Sequence, residues 1–284
     1  MKLNNAMKRK GNKNIKNIPI KILFIFLIMI FLIILIFSIY NIIKWKLDTN
    51  KTNNQINNIS EDVIVETVPD TDNTEIVETE TGDPYEDPYF KYIKMNMINV
   101  DFSELKKINS DVIGWVQVNG TNINYPFVQT SDNKYYLTRS FDKSYNQAGW
   151  VFLDYRNNIT NNKNTILYAH SRINETMFGS LKNILSSGWL NNQDNYVVKI
   201  STESENTLWQ VFSIYHIETT NDYIQTSFLD ENDFNNFVNL IKTRSSYNFN
   251  TPINKNDSIL TLSTCYGTSQ RVVLHAKLIK REYK

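Results

Sequence analysis

From Ile22 to Ile39 the chain is apolar at every position except Ser38. A helix of that length covers about 27 Å at about 1.5 Å per residue, close to the hydrocarbon thickness of a bilayer. Tyr40 and Trp45 follow where interfacial aromatic anchors belong. The pattern then loses its apolar run. Residues 41–89 mix Thr, Asn and Pro with acidic side chains, a composition that predicts an extended, self-repelling, disordered tether. A helix signal opens at Asp101–Asn109, where Phe102, Leu105 and Ile108 recur at helical spacing behind Asp101 or Ser103 as caps. Beyond it the spacing turns to β. Ile113–Val118 and Thr121–Val128 flank Asn119-Gly120, a dipeptide suited to a two-residue type I′ hairpin turn. Further strands are expected at Gly149–Asp154, Thr165–His170, Tyr196–Ser201, Leu208–Ile217, Ser258–Cys265 and Arg271–Ile279. Helices are expected at Met177–Leu185 and Asp230–Thr243, the latter with Phe234, Phe237, Val238 and Ile241 in one stripe. Many short strands in a domain of this size point to a closed or nearly closed β-barrel.

Charge sets the orientation. Residues 1–21 carry seven basic side chains and no acidic one, against Lys44, Lys46 and Lys51 after the span. By the positive-inside rule this predicts a cytoplasmic basic tail over 1–21, a transmembrane anchor over 22–40, and the rest of the chain outside the cell membrane. A cleaved signal peptide is the rival, but the apolar run is long for one and no small-x-small cleavage site follows Tyr40. No Lys or Arg lies between Lys51 and Lys91, whereas eleven acidic residues run from Glu61 to Asp87. The remaining 90–284 is one domain's worth of chain. From residue 91 on there are 20 basic and 17 acidic groups, a net of +3. That is too mild, and too unclustered, for a nucleic-acid surface.

Cys265 is the only cysteine, so it cannot form an intrachain disulfide. In the strand Ser258–Thr264 strict alternation sets Leu260, Leu262 and Thr264 on one face and Ile259, Thr261, Ser263 and Cys265 on the other, which puts the thiol on the more polar face. A nucleophilic thiolate needs a base or charge partner, a donor for the developing oxyanion, and a groove to position a carbonyl. Three histidines are available. His170 ends ILYAH and opens a polar loop, the placement of a residue presented by a rigid scaffold. His216 sits within VFSIYHI, where a structural, hydrogen-bonded role is expected. His275 is four residues along its strand from Arg271, about 13 Å away at about 3.3 Å per residue. His170 is therefore the partner to expect. Arg271 follows a five-residue connection from Cys265, so the two would face each other at adjoining ends of antiparallel strands. One cysteine and scattered histidines do not make a zinc site, and no Gly-rich phosphate loop occurs, so no metal or cofactor is expected.

TLSTC followed by an arginine strand, NTILYAHSRINETMFGSLKN, IGWVQVNGTNINYPFVQTSDNKYYL and GWVFLDYRN together resemble a class B sortase from about residue 90 to the C-terminus. The resemblance implies a mainly β fold: an eight-stranded barrel with added N-terminal helices and a helix before the penultimate barrel strand, preceded here by the transmembrane helix. It implies a Gram-positive cell-surface cysteine transpeptidase and endopeptidase, with Cys265 as nucleophile, His170 as general acid/base, Arg271 as oxyanion or substrate stabiliser, and Thr264 assisting substrate binding. The implied partners are secreted proteins bearing a C-terminal sorting motif and an amine of a peptidoglycan precursor or a pilin. Two other readings stand beside it. A papain-like wall peptidase also pairs Cys with His, but there the cysteine comes first in the chain, whereas His170 precedes Cys265. The other is a tethered binding module in which Cys265 is a buried apolar side chain.

Overall fold

The computed structural model describes residues 20–77, 89–159, 162–266 and 269–284, the side chains of Cys265 and Tyr266 excepted. Most of the basic tail and residues 78–88 of the expected tether lie outside the described residues. The chain divides into two compact units, 1–47 and 48–284. Helix α1, Ile20–Asp62, contributes to both. Its first part is apolar and exposed, and it is long and apolar enough to cross a membrane.

In the second unit the elements are β1 (Val65–Val68), β2 (Thr74–Ile76), α2 (Tyr89–Tyr92), β3 (Met97–Val100), α3 (Ser103–Ile108), β4 (Val112–Val118), β5 (Asn124–Val128), β6 (Phe152–Leu153) and β7 (Asn164–Tyr168). They are followed by α4 (Ser187–Leu190), β8 (Val197–Ser201), β9 (Glu205–Glu218), α5 (Glu231–Thr243), β10 (Ile259–Tyr266) and β11 (Gln270–Tyr283). Strands pair in the order β10-β7-β6-β5-β4-β8-β9-β11, and β10 also pairs with β11, which closes an eight-stranded barrel. The β7–β10 pairing is parallel and the β10–β11 pairing antiparallel. α5 comes just before β10, the penultimate barrel strand, and is capped by Asp230, whose Oδ1 accepts from the Asp233 N–H at 2.9 Å.

The expected disordered tether over 41–89 is corrected in its described parts. α1 continues to Asp62, β1 pairs with β3, and β2 adds to β11 at Lys280–Glu282, beyond the reach of β10. Two interactions overcome the polar composition. Thr52, Ile56, Ile59 and Val63 recur at helical spacing, and Ile59 and Val63 join the main core with Ile56 packed against it. The acidic stretch also finds a cation: Lys280, whose side chain is fully buried, donates to Asp70 Oδ1 at 2.6 Å and to the Ile93 and Met95 carbonyls at 2.7 Å.

Smaller departures have local causes. The β4–β5 connection is a five-residue loop rather than a two-residue turn, because Val118 N–H bonds the Ile123 carbonyl at 3.0 Å and the Thr121 hydroxyl bonds back to the Val118 carbonyl. The segment expected as a helix at Met177–Leu185 is a 3-10 helix over Gly179–Leu185. His216 is exposed, near the end of β9 where the alternation points outward. The histidine buried in the structure is His275.

Two apolar clusters flank the β10–β11 ladder. Leu260, Leu262, Val272 and Leu274 point into the barrel, whereas Ile259 and Val273 point outward, under Phe234, Phe237, Val238 and Ile241 of α5. His275 is fully buried beside this outer cluster, its Nε2 2.8 Å from the Tyr215 hydroxyl and its Nδ1 2.9 Å from the Thr261 hydroxyl. Burial, with a smaller contribution from the Arg244 charge, pulls its pKa from 6.5 down to about 3. The folded protein therefore keeps His275 neutral where the unfolded chain protonates it, and stability is lost as pH falls from about 6.5 toward 3, by about 1.4 kcal/mol per unit. Urea unfolding of the detergent-solubilised chain at pH 7, 6 and 5 should show this loss, and His275→Gln should flatten it. An equal slope in the variant would remove the assignment.

Candidate active site

The parallel β7–β10 ladder runs in register to Ser263 opposite Tyr168. One residue further on, the Thr264 hydroxyl donates to the Ala169 carbonyl at 2.7 Å, and both residues are buried. One more step along each strand reaches Cys265 and His170. On the other side, Cys265 is the register partner of Arg271 across the antiparallel ladder. Backbone pairing thus sets the cysteine between the histidine and arginine positions, although His170 and Arg271 are far apart in sequence. Thr264 is placed as a tie between the two strand ends, its hydroxyl already engaged by backbone.

His170 and Arg271 both line a cavity of about 410 Å³, together with Ser263 and Thr264. His170 is half-buried, and its Nε2 lies 2.8 Å from the Leu137 carbonyl. A carbonyl oxygen only accepts, so this contact places a proton on Nε2 and fixes the ring's tautomer when it is neutral. The ring also packs on Gly149, where φ is +62° and an added Cβ would come within 2.6 Å of the Tyr136 carbonyl and 3.0 Å of His170 Cδ2. Only glycine fits this turn. The Arg271 guanidinium is half-buried, with Nη1 donating to the Gln270 carbonyl at 3.0 Å. His275 and His216 do not line the cavity.

Apolar and aromatic side chains form the walls, among them Leu137, Phe152, Tyr168, Tyr223 and Ile224. Two of these walls are pinned by a charged clamp that the sequence pattern did not single out. Asp154, fully buried in its side chain, takes a bidentate contact from Arg156 at 2.9 and 2.7 Å and a hydrogen bond from the Tyr168 hydroxyl at 3.0 Å. Burial pushes the Asp154 pKa up, but these donors outweigh it and hold the carboxyl below its usual range. Arg156 then reaches the Ile224 carbonyl at 2.9 Å, tying in the loop between β9 and α5. That loop is fixed further by the bidentate Asp222–Arg244 pair and by Tyr223, whose hydroxyl lies 2.9 Å from Ser263 Oγ. The Asp-x-Arg spacing in LDYRN was the available signal, but what the pair holds became visible only in three dimensions.

A cysteine strand position between a histidine and an arginine that line one apolar cavity supplies the residue types that nucleophilic acyl transfer requires. The Thr264 tie can be tested apart from catalysis. Thr264→Val leaves the buried Ala169 carbonyl without its donor and should cost about 1–3 kcal/mol, whereas Thr264→Ser, which keeps the hydroxyl, should cost clearly less in thermal or urea unfolding. Equal costs for Val and Ser would show that the hydroxyl contributes nothing.

The comparisons with known proteins agree with this geometry. The family model described as Sortase domain matches residues 116–279. Sortase B of Staphylococcus aureus is 35% identical over 188 residues, covering 64% of this chain and 76% of that protein. The solved Staphylococcus aureus sortase B–substrate complex is similar with a TM-score of 0.59 at 35% identity, covering 63% of this chain and 84% of the other. A sortase B structure complexed with triglycine matches with a TM-score of 0.59 at 35% identity, covering 63% and 85%. With its closed eight-stranded barrel and these relatives, the chain belongs to the sortase family of transpeptidases, in class B.

Proposed function

We propose that this chain is a membrane-anchored cysteine transpeptidase that cleaves a C-terminal sorting motif in secreted proteins and joins them to a cell-wall amine. Residues 22–40 are the anchor, with the basic tail cytoplasmic and the catalytic domain on the outer face of a Gram-positive cell membrane. The observation that carries this reading is the strand register that sets Cys265 between His170 and Arg271, the latter two lining one cavity.

The chemistry proceeds in two acyl transfers. Cys265 passes its proton to Nδ1 of His170 and, as the thiolate, attacks a threonine carbonyl of the sorting motif. The Arg271 guanidinium stabilises the oxyanion of the tetrahedral adduct by charge-assisted hydrogen bonding. As the adduct collapses, the C–N bond breaks, His170 gives a proton from Nδ1 to the departing amine, and a thioester to Cys265 remains. An incoming amine then attacks the thioester carbonyl, His170 takes its proton, and the new amide leaves as Cys265 is released. Water attacking at this point would give hydrolysis, so the apolar walls at Leu137, Tyr223 and Ile224 favour transfer by limiting access. Among the similar solved structures, sortase B is seen with its substrate and with triglycine. The terminal amine of triglycine is of the kind that would resolve such a thioester, which supports an amino-terminal glycine or a similar primary amine as acceptor.

Incubation of the detergent-solubilised chain with internally quenched sorting peptides, with and without triglycine, tests this. Turnover should fall on the order of 10³-fold or more in Cys265→Ala and in His170→Ala. Arg271→Lys, which keeps the charge but loses the planar donor pair, should cost on the order of 10²-fold, mainly in kcat. Triglycine should divert product from hydrolysis to ligation. Undiminished cleavage by Cys265→Ala would end the reading.

A further inference from the structure

The mount of His170 is gripped from outside the barrel. The first turn of α1 that belongs to the second unit, Asp48–Thr52, touches it at two points. Thr49 Oγ1 accepts from Arg172 Nη2 at 3.0 Å, and Arg172 lies two residues after His170. Thr52 Oγ1, in a buried side chain, accepts from Asn146 Nδ2 at 2.9 Å, and the same nitrogen lies 3.3 Å from the Asp48 carbonyl. Asn146 is fully buried and its Oδ1 accepts from the Ala148 N–H at 2.9 Å, while its carbonyl accepts from the Gly149 N–H at 3.1 Å. It therefore shapes the Gly149 turn on which the His170 ring packs. Lys51 Nζ adds a contact to the Tyr145 carbonyl at 3.3 Å.

The contact through Arg172 is stiff enough to pass a displacement on. Residues 170–178 form a closed loop: Phe178 N–H bonds the His170 carbonyl at 3.1 Å, Glu175 N–H bonds the Arg172 carbonyl at 3.0 Å, and Ser171 bridges Met177. Gly179 packs so closely on this loop that a Cβ would lie 2.3 Å from the Arg172 carbonyl. Glu175 and Met177 hold φ of 64° and 55°, a conformation costly for side-chain-bearing residues that persists only where the surroundings over-determine it. Arg172 and His170 thus sit on one closed loop.

We propose that the α1 turn Asp48–Thr52 braces the histidine mount, with Thr49 acting through Arg172 and Thr52 through Asn146 as positioning residues for His170. This rests on His170 being the acid/base of the proposed reaction, since its ring must meet the reacting atoms within a fraction of an ångström. The stretch directly after the apolar part of α1 is thus part of the catalytic apparatus and more than a spacer.

The test uses the full chain in detergent with Thr49→Val and Thr52→Val together, which keeps side-chain shape and removes both acceptor hydroxyls, beside a Thr49→Ser, Thr52→Ser control. The valine pair should lower kcat on sorting peptides about tenfold with KM within about twofold, and the serine pair should restore it. Amide hydrogen exchange, which needs no turnover, should quicken at 145–149 and 170–178 in the valine pair and stay unchanged in β8 and β9. Unchanged exchange in those two segments, or full kcat in the valine pair while Cys265→Ala is inactive, would overturn the brace and leave the transpeptidase reading intact. Activity that persists in Cys265→Ala would sink the transpeptidase reading instead, and exchange at 145–149 and 170–178 would still decide the brace.

Discussion

One central strand, β10, lies between a parallel neighbour and an antiparallel one, and the site depends on this. The parallel ladder with β7 and the antiparallel ladder with β11 end at the same edge of the barrel, so residues 170, 265 and 271 reach it side by side. Parallel strands need a long crossover between them, and here about ninety residues of chain separate His170 from Cys265. A shift of one residue in either ladder would send alternate side chains to the opposite face. The register is secured by burial on both faces: Leu260 and Leu262 inside the barrel, Ile259 beneath α5, and Thr261 bonded to Asn164 and His275.

Around that edge the structure spends buried polar groups on holding geometry. The Asp154–Arg156–Tyr168 clamp fixes two walls and reaches the loop after β9, and the Tyr223–Ser263 contact fastens the same loop to the cysteine strand. Each group is partnered, as a low-dielectric setting demands. The cost of burying them is offset by charge-assisted geometry. The Nε2 contact of His170 with Leu137 works in the same way, selecting one tautomer through a single carbonyl.

Much of this was legible in the chain. Alternation located the strands from β4 onward, and the apolar stripe of α5 marked the helix that covers β10. The pairing of Cys265 with Arg271 followed from a five-residue connection, because a short link between strands leaves only an antiparallel neighbour. The described parts of the segment 41–89 fold for a physical reason that composition hides. Its helical stripe, Thr52, Ile56, Ile59 and Val63, is diluted among Asn and Gln, and its acidic residues look self-repelling until Lys280 of β11 is seen to take Asp70. Composition averages over such a segment, whereas folding requires only that the few apolar positions fall on one face.

Local chemistry along the chain sufficed to settle the span-like helix, the strand periods, the lone thiol and the polar loop opening at His170, since each depends on neighbours within a few residues. Which histidine is buried, and what the Asp48–Thr52 turn touches, were decided by tertiary structure alone. His170 and His275 both follow apolar strand sequence, and their difference arises from closure of the barrel, which brings one to its open edge and encloses the other beneath α5 among Tyr215, Tyr223 and Phe237. Long-range burial sets those environments, and burial is a property of the closed barrel that no stretch of sequence carries by itself.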